Sequence, residues 1–299
     1  MKRTRHMLGI DRLHQQGITG RGITVAILDT GISRHPDFYV WGRRESRIMD
    51  FVDMASYGGR GLYDDNGHGT HVAGIIGGNG MASRGVYRGI APECNLIMVK
   101  VLNRKGEANV TEVLQGLDWI RAHREQYGIR IVNISVGSTR GKEFGEDSPL
   151  VQGVNDTWDA GMVVLTAAGN HGPESGSIGA PGNSRKIITV GSSDTGIVRG
   201  NQMVQGEYSG GGPTECCIKK PDIVAPGSNI ISCSPSGTYT AKSGTSMSTP
   251  IVSGCIALLL QRYPQMTNRE VKIWLRDYAR DLGKPHERQG WGMIDMESL

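Results

Sequence analysis

Residues 23–29 read ITVAILD, an apolar run that ends on an aspartate. The apolar residues are continuous rather than alternating with polar ones, which is typical of a strand covered on both faces of a parallel sheet. Five later runs share this character: NLIMVKVL (95–102), IRIVNISVG (129–137), MVVLTAAG (162–169), KIITVGS (186–192) and DIVAPG (222–227). Together the six runs predict a sheet whose strands lie in the interior of the protein.

Helix-like segments lie between these runs. In residues 109–127, Val113, Leu117 and Ile120 fall on one face at helical spacing, and a second helix is predicted over LVQGVNDTWDAG (150–161). The repetition of strand, helix and strand predicts an α/β fold, with a doubly wound, mostly parallel sheet and helices on both faces.

The C-terminal part of the chain predicts two further elements. Residues 229–244 read as a hairpin that turns at Ser236–Gly237, and Thr267 or Asn268 is expected to cap a final helix. Neither an internal repeat nor a linker interrupts the chain, so residues 1–299 are predicted to form a single domain.

Composition narrows the class of protein. The 299 residues are 37% hydrophobic with a formal net charge of +4, which favours neither nucleic acid nor a membrane as partner. The chain shows no apolar run long enough to span a bilayer and no secretory signal, and its five cysteines include no CxxC. We therefore expect a cytoplasmic protein with reduced thiols; the alternative is a secreted protein whose leader has been removed. The oligomeric state is not readable from the sequence.

Two segments place titratable groups where chemistry is expected. Asp29 ends the first strand, and sites in such sheets form beyond the carboxyl ends of the strands. The segment DDNGHGTHVAGIIGG (64–78) begins a small-residue helix with His68 and His71. A third metal ligand at helical spacing is missing, so no metal site is predicted here and one histidine is expected to be a general base. His71, a turn deeper in the apolar part, is predicted to be a core residue.

A third segment, SGTSMSTPIVSG (243–254), contains several serines. Its second half and the apolar residues after it predict a buried helix, and Pro250, tolerated only in a first turn, places Ser246 at or just before the helix N-terminus. Free backbone N–H groups and the positive end of the helix dipole favour developing negative charge there. This distinguishes Ser246 from Ser248 and Ser253, which lie inside the helix, where small side chains indicate close packing.

Four segments together resemble the signature segments of the subtilisin-like serine proteases, the subtilase family. They are DTG around Asp29, HGTHVAG around His68, AAGN ending at Asn170 and GTSMSTP around Ser246. Their order and spacing agree with the family from about Ile10 to the last helix, and the chain is similar in character to the intracellular bacterial subtilisins. The resemblance implies the subtilisin-like fold and a serine endopeptidase that acts on a peptide or protein substrate and requires no cofactor.

The resemblance also implies a role for each matching residue. Ser246 would attack the peptide carbonyl, His68 would take its proton and return it to the leaving amine, and Asp29 would orient the imidazole. Asn170 and the backbone N–H of Ser246 would form the oxyanion hole.

A substrate cleft is implied as well. The residues that would line it are Gly106, Glu107, Ala108, Ser135, Val136, Gly137, Ala167, Ala168, Gly169, His171 and Gly179. The first three and the next three form two edges along which a substrate pairs as an added strand. The others surround the pocket for the residue before the scissile bond, with His171 at its rim. Glycine at 179 leaves this pocket deep, so large uncharged residues (Leu, Phe, Tyr or Met) are expected there.

Two other functions use the same residues and stay open on the sequence alone. A catalytically weak or inactive relative would act as a binding or regulatory protein, although no member of the triad is missing here. A peptide ligase or an esterase on the same scaffold would keep the triad unchanged.

Many relatives bind a structural calcium ion through the aspartate that matches Asp37 and a loop that follows the helix of the catalytic histidine. Here that loop, GGNGMASRGVYRG (77–89), carries Arg84 and Arg88 but no carboxylate, which opposes calcium binding. The usual family site is therefore expected to be absent, with pairing of Asp37 to one of the arginines as an alternative. A structural cation elsewhere, such as near Asp64–Asp65, stays open.

Overall fold

The structure is a computed structural model that describes residues 1–55, 61–135, 145, 147–194, 196–199, 202–205 and 208–299, with the backbone alone for 196–199 and 202–205. Two predicted cleft residues, Val136 and Gly137, lie outside the described residues.

The strands are, in chain order, β1 (Thr24–Asp29), β2 (Ile48–Asp53), β3 (Asn95–Lys100), β4 (Ile129–Ile134), β5 (Val163–Ala167), β6 (Ile188–Ser192), β7 (Gly196–Arg199), β8 (Gln202–Gln205), β9 (Ile223–Ala225), β10 (Ile230–Cys233) and β11 (Tyr239–Lys242). A seven-stranded parallel sheet has the order β2-β3-β1-β4-β5-β6-β9. Two antiparallel pairs, β7–β8 and β10–β11, lie apart from it.

The helices are α1 (Lys2–Met7), α2 (Ile10–Gln15), α3 (His68–Gly77), α4 (Val110–Ala122), α5 (Arg124–Tyr127), α6 (Pro149–Asp159), α7 (Thr245–Arg262), α8 (Asn268–Asp277) and α9 (His286–Gln289), with 3₁₀ turns at Pro36–Phe38 and Met81–Ser83. Helices α3 and α7 pack together against the sheet, and α4 packs on α6. The predicted α/β fold with a doubly wound parallel sheet is confirmed, and all six predicted strands are present.

Helix α4 shows why the pattern worked. Val113, Leu117 and Ile120 are buried as predicted, and Asn109 caps the helix with a reciprocal bond from Glu112. The predicted hairpin is β10–β11, and Thr267 is the N-cap of α8. Strand β2 was missed because it is an edge strand: its residues are at most partly buried, so its run IMDFVD carries aspartates.

Helix α7 is the centre of the core. It contacts strands β1, β4, β5, β6 and β9, and its residues from Met247 to Leu260 are buried throughout. Pro250 lies in the second turn and not in the first, so the placement of the proline was wrong by one turn. The carbonyl of Ser246 therefore has no helical donor four residues on, because proline lacks an N–H. None of the helices in the described part of the chain has the length and apolar character that crossing a bilayer requires.

Candidate active site

Asp29 ends β1 at the carboxyl edge of the sheet and is fully buried. Its Oδ1 lies 2.7 Å from the backbone nitrogen of Thr30 and 2.7 Å from Nδ1 of His68. Because an ionised carboxylate only accepts hydrogen bonds, this contact holds the proton of a neutral His68 on Nδ1 and leaves Nε2 as the basic nitrogen. The structure thus brings Asp29 and His68 together in an arrangement suited to a general base.

His68 is the first residue of α3, and its side chain is 23% exposed. Gly67 precedes it with a φ of 90°, a left-handed conformation that turns the chain into the helix and favours glycine. Burial disfavours the charged ring, but the charge of Asp29 and its hydrogen bond outweigh burial and raise the pKa of His68. A raised pKa makes the imidazole a stronger proton acceptor.

Ser246 is the second residue of α7 and is half-buried. His68 contacts Asp29 at the end of β1, and the first turn of α7 contacts Asn170, which follows β5, so α3 and α7 both begin at the carboxyl edge of the sheet. No hydrogen bond between these two side chains is found in the described part of the chain. Ligand-free sites often have such contacts long, and they tighten when substrate binds.

The neighbouring serines have structural contacts, as the sequence predicted. Ser248 is fully buried and donates to the carbonyl oxygen of Ala225 at 3.0 Å. Ser253, also fully buried, donates to Oδ1 of Asn133 at 2.9 Å. Both hydroxyls are committed to the core, which leaves Ser246 as the accessible serine of α7.

Asn170 follows β5 and is exposed. Its Oδ1 accepts from the backbone N–H of Thr245 at 2.9 Å and from the hydroxyl of Thr245 at 3.1 Å. These bonds orient the amide so that Nδ2 can donate beside the first turn of α7, where backbone N–H groups lack helical acceptors. A Cβ on Gly244 would lie 3.2 Å from Nδ2, so the glycine permits this close approach.

Asp64 is a buried residue at the site whose role the sequence analysis missed. Its Oδ1 accepts from the hydroxyl of Thr30 at 2.8 Å and from the backbone N–H of Gly67 at 2.7 Å. Its Oδ2 accepts from the backbone N–H of Thr70 at 2.8 Å and from its hydroxyl at 2.6 Å. One carboxylate thus ties the turn after Asp29 to the start of α3. The turn signal Asn66–Gly67 after the aspartate could have indicated it.

Lys100 also holds the turn after Asp29, and the sequence analysis did not predict this role. Its side chain is buried at the end of β3, and Nζ donates to the carbonyl oxygens of Thr30 at 2.6 Å and Leu102 at 2.8 Å. Nζ also pairs with Asp65 at 2.8 Å. Donors of the protein thus contact both Asp64 and Asp65.

The predicted edges of the substrate cleft differ in how exposed they are. Gly106, Glu107 and Ala108 are exposed in a loop that pairs Ala108 with Leu102 in an isolated bridge. Ser135 is buried after β4, and its hydroxyl accepts from Nδ2 of Asn133 at 2.8 Å.

The predicted pocket residues begin with Ala167, the last residue of β5, and continue in the segment after it. Ala167, Ala168, Gly169 and Gly179 are buried, whereas His171 is exposed. Gly210 contacts both segments of the predicted pocket, the one after β5 and the one around Gly179. Its nitrogen donates to the carbonyl of Gly169 at 2.8 Å. A Cβ on Gly210 would meet Ala168 and Ile178, the neighbour of Gly179. Gly210 was not predicted, since it follows the strands β7 and β8 that the sequence did not reveal.

His71 is a core residue, as predicted. It is fully buried, and Nε2 lies 3.0 Å from the carbonyl oxygen of Ile230 and 3.1 Å from that of Thr240. Burial, with the charges of Lys242 and His68 as smaller causes, lowers the pKa of His71 to about 3. A neutral ring that donates to carbonyl oxygens is unsuited to catalysis at this position.

The residues around Asp37 do not fit the family calcium site. Its Oδ1 accepts from the backbone N–H of Ala82 at 2.9 Å, and its Oδ2 accepts from the hydroxyl of Tyr239 at 2.8 Å. The alternative pairing with Arg84 or Arg88 is wrong, because these donors occupy the carboxylate instead. His35 and Cys233 bring ligand atoms within 4.8 Å of Asp37, a cluster able to surround a metal ion. However, the Cys233 thiol also points at Asp37, 3.7 Å from Oδ2, so hydrogen bonds already satisfy the cluster.

Comparison with known proteins agrees with this geometry. The subtilase family profile matches residues 20–292. Serine protease AprX of Bacillus subtilis is 42% identical over 88% of this chain, which spans 62% of the length of AprX. Subtilisin Savinase of Lederbergia lenta is 36% identical over 95% of this chain and 93% of its own length. Among solved structures, a psychrophilic protease, S41, superposes with a TM-score of 0.77 at 28% identity over 93% of each chain.

This chain belongs to the subtilase family. The predicted fold and the predicted class, a subtilisin-like serine protease, are therefore confirmed at the level of the family.

Proposed function

We propose that this protein is a serine endopeptidase in which Ser246, His68 and Asp29 act in sequence. Nε2 of His68 takes the proton of Ser246 as its oxygen attacks the peptide carbonyl, and the charge that forms on the ring faces Asp29. His68 then protonates the leaving amine, and water enters to release the acyl group by the same path. Asp64 and Lys100 hold the turn after Asp29 in place.

The tetrahedral intermediate carries an oxyanion that needs donors. Nδ2 of Asn170 and the backbone N–H of Ser246 supply them, with the amide oriented by Thr245. The N-terminal end of α7 adds a positive dipole at this point, and its length of 18 residues gives it a full dipole. The substrate would pair with the exposed edge at Gly106–Ala108.

The contact of 2.7 Å between Asp29 and His68, with its raised histidine pKa, is the observation that carries this proposal. The test is hydrolysis of a chromogenic peptide by the wild-type protein and by Ser246→Ala. We expect turnover to fall by about 10⁶, the size of the loss when the same triad is broken in subtilisin. The matched control is Ser248→Ala, which should keep wild-type turnover.

The same assay separates the other functions. A binding protein would retain the peptide without cleaving it, in wild type as in Ser246→Ala. An esterase or ligase would cleave a chromogenic ester, or join two peptides, while the amide substrate stays intact. Loss of turnover in Ser248→Ala with wild-type rates in Ser246→Ala would overturn the assignment of the nucleophile.

Specificity follows from the small walls of the pocket. Ala168, Gly169 and Gly179 leave room for a large side chain and bring no carboxylate, so we expect Leu, Phe, Tyr or Met before the scissile bond. A peptide library measures this preference. A profile dominated by Arg or Lys would contradict it.

We also propose that the protein works in the reducing cytoplasm, as one domain over residues 1–299 and without a required cofactor. The support is that Cys94, Cys233 and Cys255 are buried and unpaired, and that Cys216 and Cys217 are exposed without a disulfide. Titration of the unfolded, unreduced protein isolated from cytoplasm should find five thiols. A count of three free thiols or of one would instead show a disulfide.

A further inference from the structure

A basic surface lies at the edge of the sheet opposite the proposed active site. It borders an open pocket of about 330 Å³ that is lined by Trp158, Trp291 and six further residues. We call these six the α8 basic face: Arg185, Lys186, Arg269, Lys272, Ile273 and Arg276. Arg185 and Lys186 precede β6, at the amino-terminal edge of the sheet, whereas Asp29 and Asn170 follow the carboxyl ends of their strands. Five of the six side chains are cationic.

Helix α8 presents four of these residues as one stripe. Arg269, Lys272, Ile273 and Arg276 are spaced at i, i+3, i+4 and i+7, and the opposite face is buried through Val271 and Leu275. Ile273 is 49% exposed, so a large apolar side chain stands among the cations. A solvated helix face does not need an isoleucine at this position.

The cations differ in how they are held. Nζ of Lys272 donates to the carbonyl oxygens of Arg185, Lys186 and Ile187 at 2.9–3.0 Å and lies 5.8 Å from the ring centre of Trp158. Lys272 is thus a fixed structural cation at the base of the pocket.

Arg269 is different. It lies in the first turn of α8, where the helix dipole disfavours a positive charge, and its guanidinium makes no ion pair or hydrogen bond with any residue that the structure describes. Among the described residues, Arg276 in the last turn pairs only with its sequence neighbour Asp277, at 2.9 Å. The two ends of the stripe therefore offer guanidinium groups whose positions the stability of the fold does not explain.

We propose that the α8 basic face docks an acidic peptide segment of a partner protein, with two carboxylates that flank an apolar residue. Arg269 and Arg276 are seven residues apart, or about 10 Å along the helix, which an extended peptide covers in about three residues. One carboxylate would pair with each arginine, and the apolar residue between them would contact Ile273. Guanidinium groups bind carboxylates in a two-pronged geometry that fixes such a segment.

Other anions match this surface less well. A single phosphate matches two arginines that begin about 10 Å apart along the helix less well than two separate carboxylates do, and the exposed Ile273 between them gives a polyphosphate backbone nothing to bind. The weak net charge of +4 does not supply the broad field that nucleic acids or anionic membranes need.

The test measures binding of a fluorescent peptide with Glu-Ala-Leu-Glu repeats to Ser246→Ala protein, in which cleavage is suppressed. Arg269→Glu/Arg276→Glu in this background should weaken binding by at least about tenfold. The matched control is Arg43→Glu/Arg44→Glu, the same charge change at exposed arginines of another surface, which should bind as before. Ile273→Ser should weaken binding without changing the charge. Circular dichroism confirms folding of each variant.

Two comparisons make the proposal falsifiable. A peptide with Gln in place of Glu should bind no better to protein with the intact α8 basic face than to Arg269→Glu/Arg276→Glu. The advantage of the intact face for the acidic peptide should shrink as salt is raised. Equal weakening by both double variants, equal binding of the Gln peptide, or binding of only duplex DNA or phosphatidylserine vesicles would overturn it. The binding measurement uses Ser246→Ala protein and needs no cleavage. A negative result here therefore leaves the proposed peptidase activity untouched, and a negative peptidase assay leaves this proposal untouched.

Discussion

Two histidine–aspartate pairs in the part of the chain that the structure describes have opposite electrostatics. In one, Nδ1 of His68 lies 2.7 Å from Oδ1 of Asp29, and the pKa of the histidine is raised. In the other, Nδ1 of His35 lies 3.8 Å from Oδ1 of Asp37, and burial lowers the pKa of the histidine despite the nearby charge. Both aspartates are fully buried, so burial of the carboxylate does not explain the difference.

The direction of the hydrogen bond at Nδ1 explains why the two histidine pKa values shift in opposite directions. Nδ1 of His35 accepts from the backbone N–H of Asp37 at 3.1 Å, so this nitrogen carries no proton to offer the carboxylate. Protonation of His35 would break that bond. His68 points a ring N–H at Asp29, and its other nitrogen lies at the partly exposed edge of the site. A histidine beside an aspartate thus becomes a base only when the ring donates to the carboxylate.

The largest effect should separate the two histidines by activity. His68→Ala should reduce kcat by about 10⁶, as the same change does in subtilisin, because it removes the proposed base. His35→Ala should leave kcat within about threefold and instead lower the free energy of unfolding by about 1–3 kcal/mol, because it leaves buried groups unpaired. Peptide hydrolysis and urea unfolding measure the two outcomes. A comparable loss of activity in both variants would contradict the distinction.

Substitution of Asp64 should perturb the Asp29–His68 pair less than removal of His68 does. Asp64→Asn keeps the size of the side chain but replaces one acceptor oxygen with an NH2 group, which turns a donor toward donors. This should shift the turn at Thr30 and lower kcat by about 10²-fold with little change in KM. Its charge also helps to raise the pKa of His68. The acidic limb of the kcat profile should therefore move to lower pH. A fall in stability with an unmoved pH profile would assign Asp64 a structural role alone.

The pH dependence of stability should also differ between the pairs. The raised pKa of His68 contributes stability that is complete below its unfolded value, about 6.5, and is lost as the pH rises through the folded value. The lowered pKa of His35 contributes stability that is present above about 6.5 and is lost as the pH falls below it. Urea unfolding between pH 5 and 8 should show a shallower acidic decline in His35→Gln than in wild type. An unchanged decline would argue against a neutral His35.

The smallest effect should come from removing calcium. Donors of the protein fill the carboxylate of Asp37, so melting with excess EDTA and with millimolar calcium should agree to within about 1 °C. A calcium site saturated at about 1,000 times its Kd would add about 4 kcal/mol and raise the midpoint by about 6 °C. A shift of that size, lost in Asp37→Asn, would show that the ion displaces these donors.

The sequence predicted those parts whose cause is local. Buried strands such as β1 and the amphipathic face of α4 are visible as patterns, and the four family segments indicate Asp29, His68, Asn170 and Ser246. The edge strand β2 was not predicted, because its partly exposed residues include aspartates and do not form a continuous apolar run. Asp64, Lys100 and Gly210 escaped because their roles depend on contacts between distant segments. The role of Asp37 depends likewise on Tyr239, 202 residues away in the chain.

The deep burial of α7 has a consequence for how the protein loses function. The proposed nucleophile sits on the helix that touches most of the sheet, so its first turn cannot loosen without opening the interior. Amide hydrogens of α7 beyond Pro250, where the helix is buried, should exchange with solvent only through complete unfolding. Those of α1 and α9, short helices near the two ends of the chain, should exchange sooner. Heat inactivation should accordingly coincide with global melting rather than precede it.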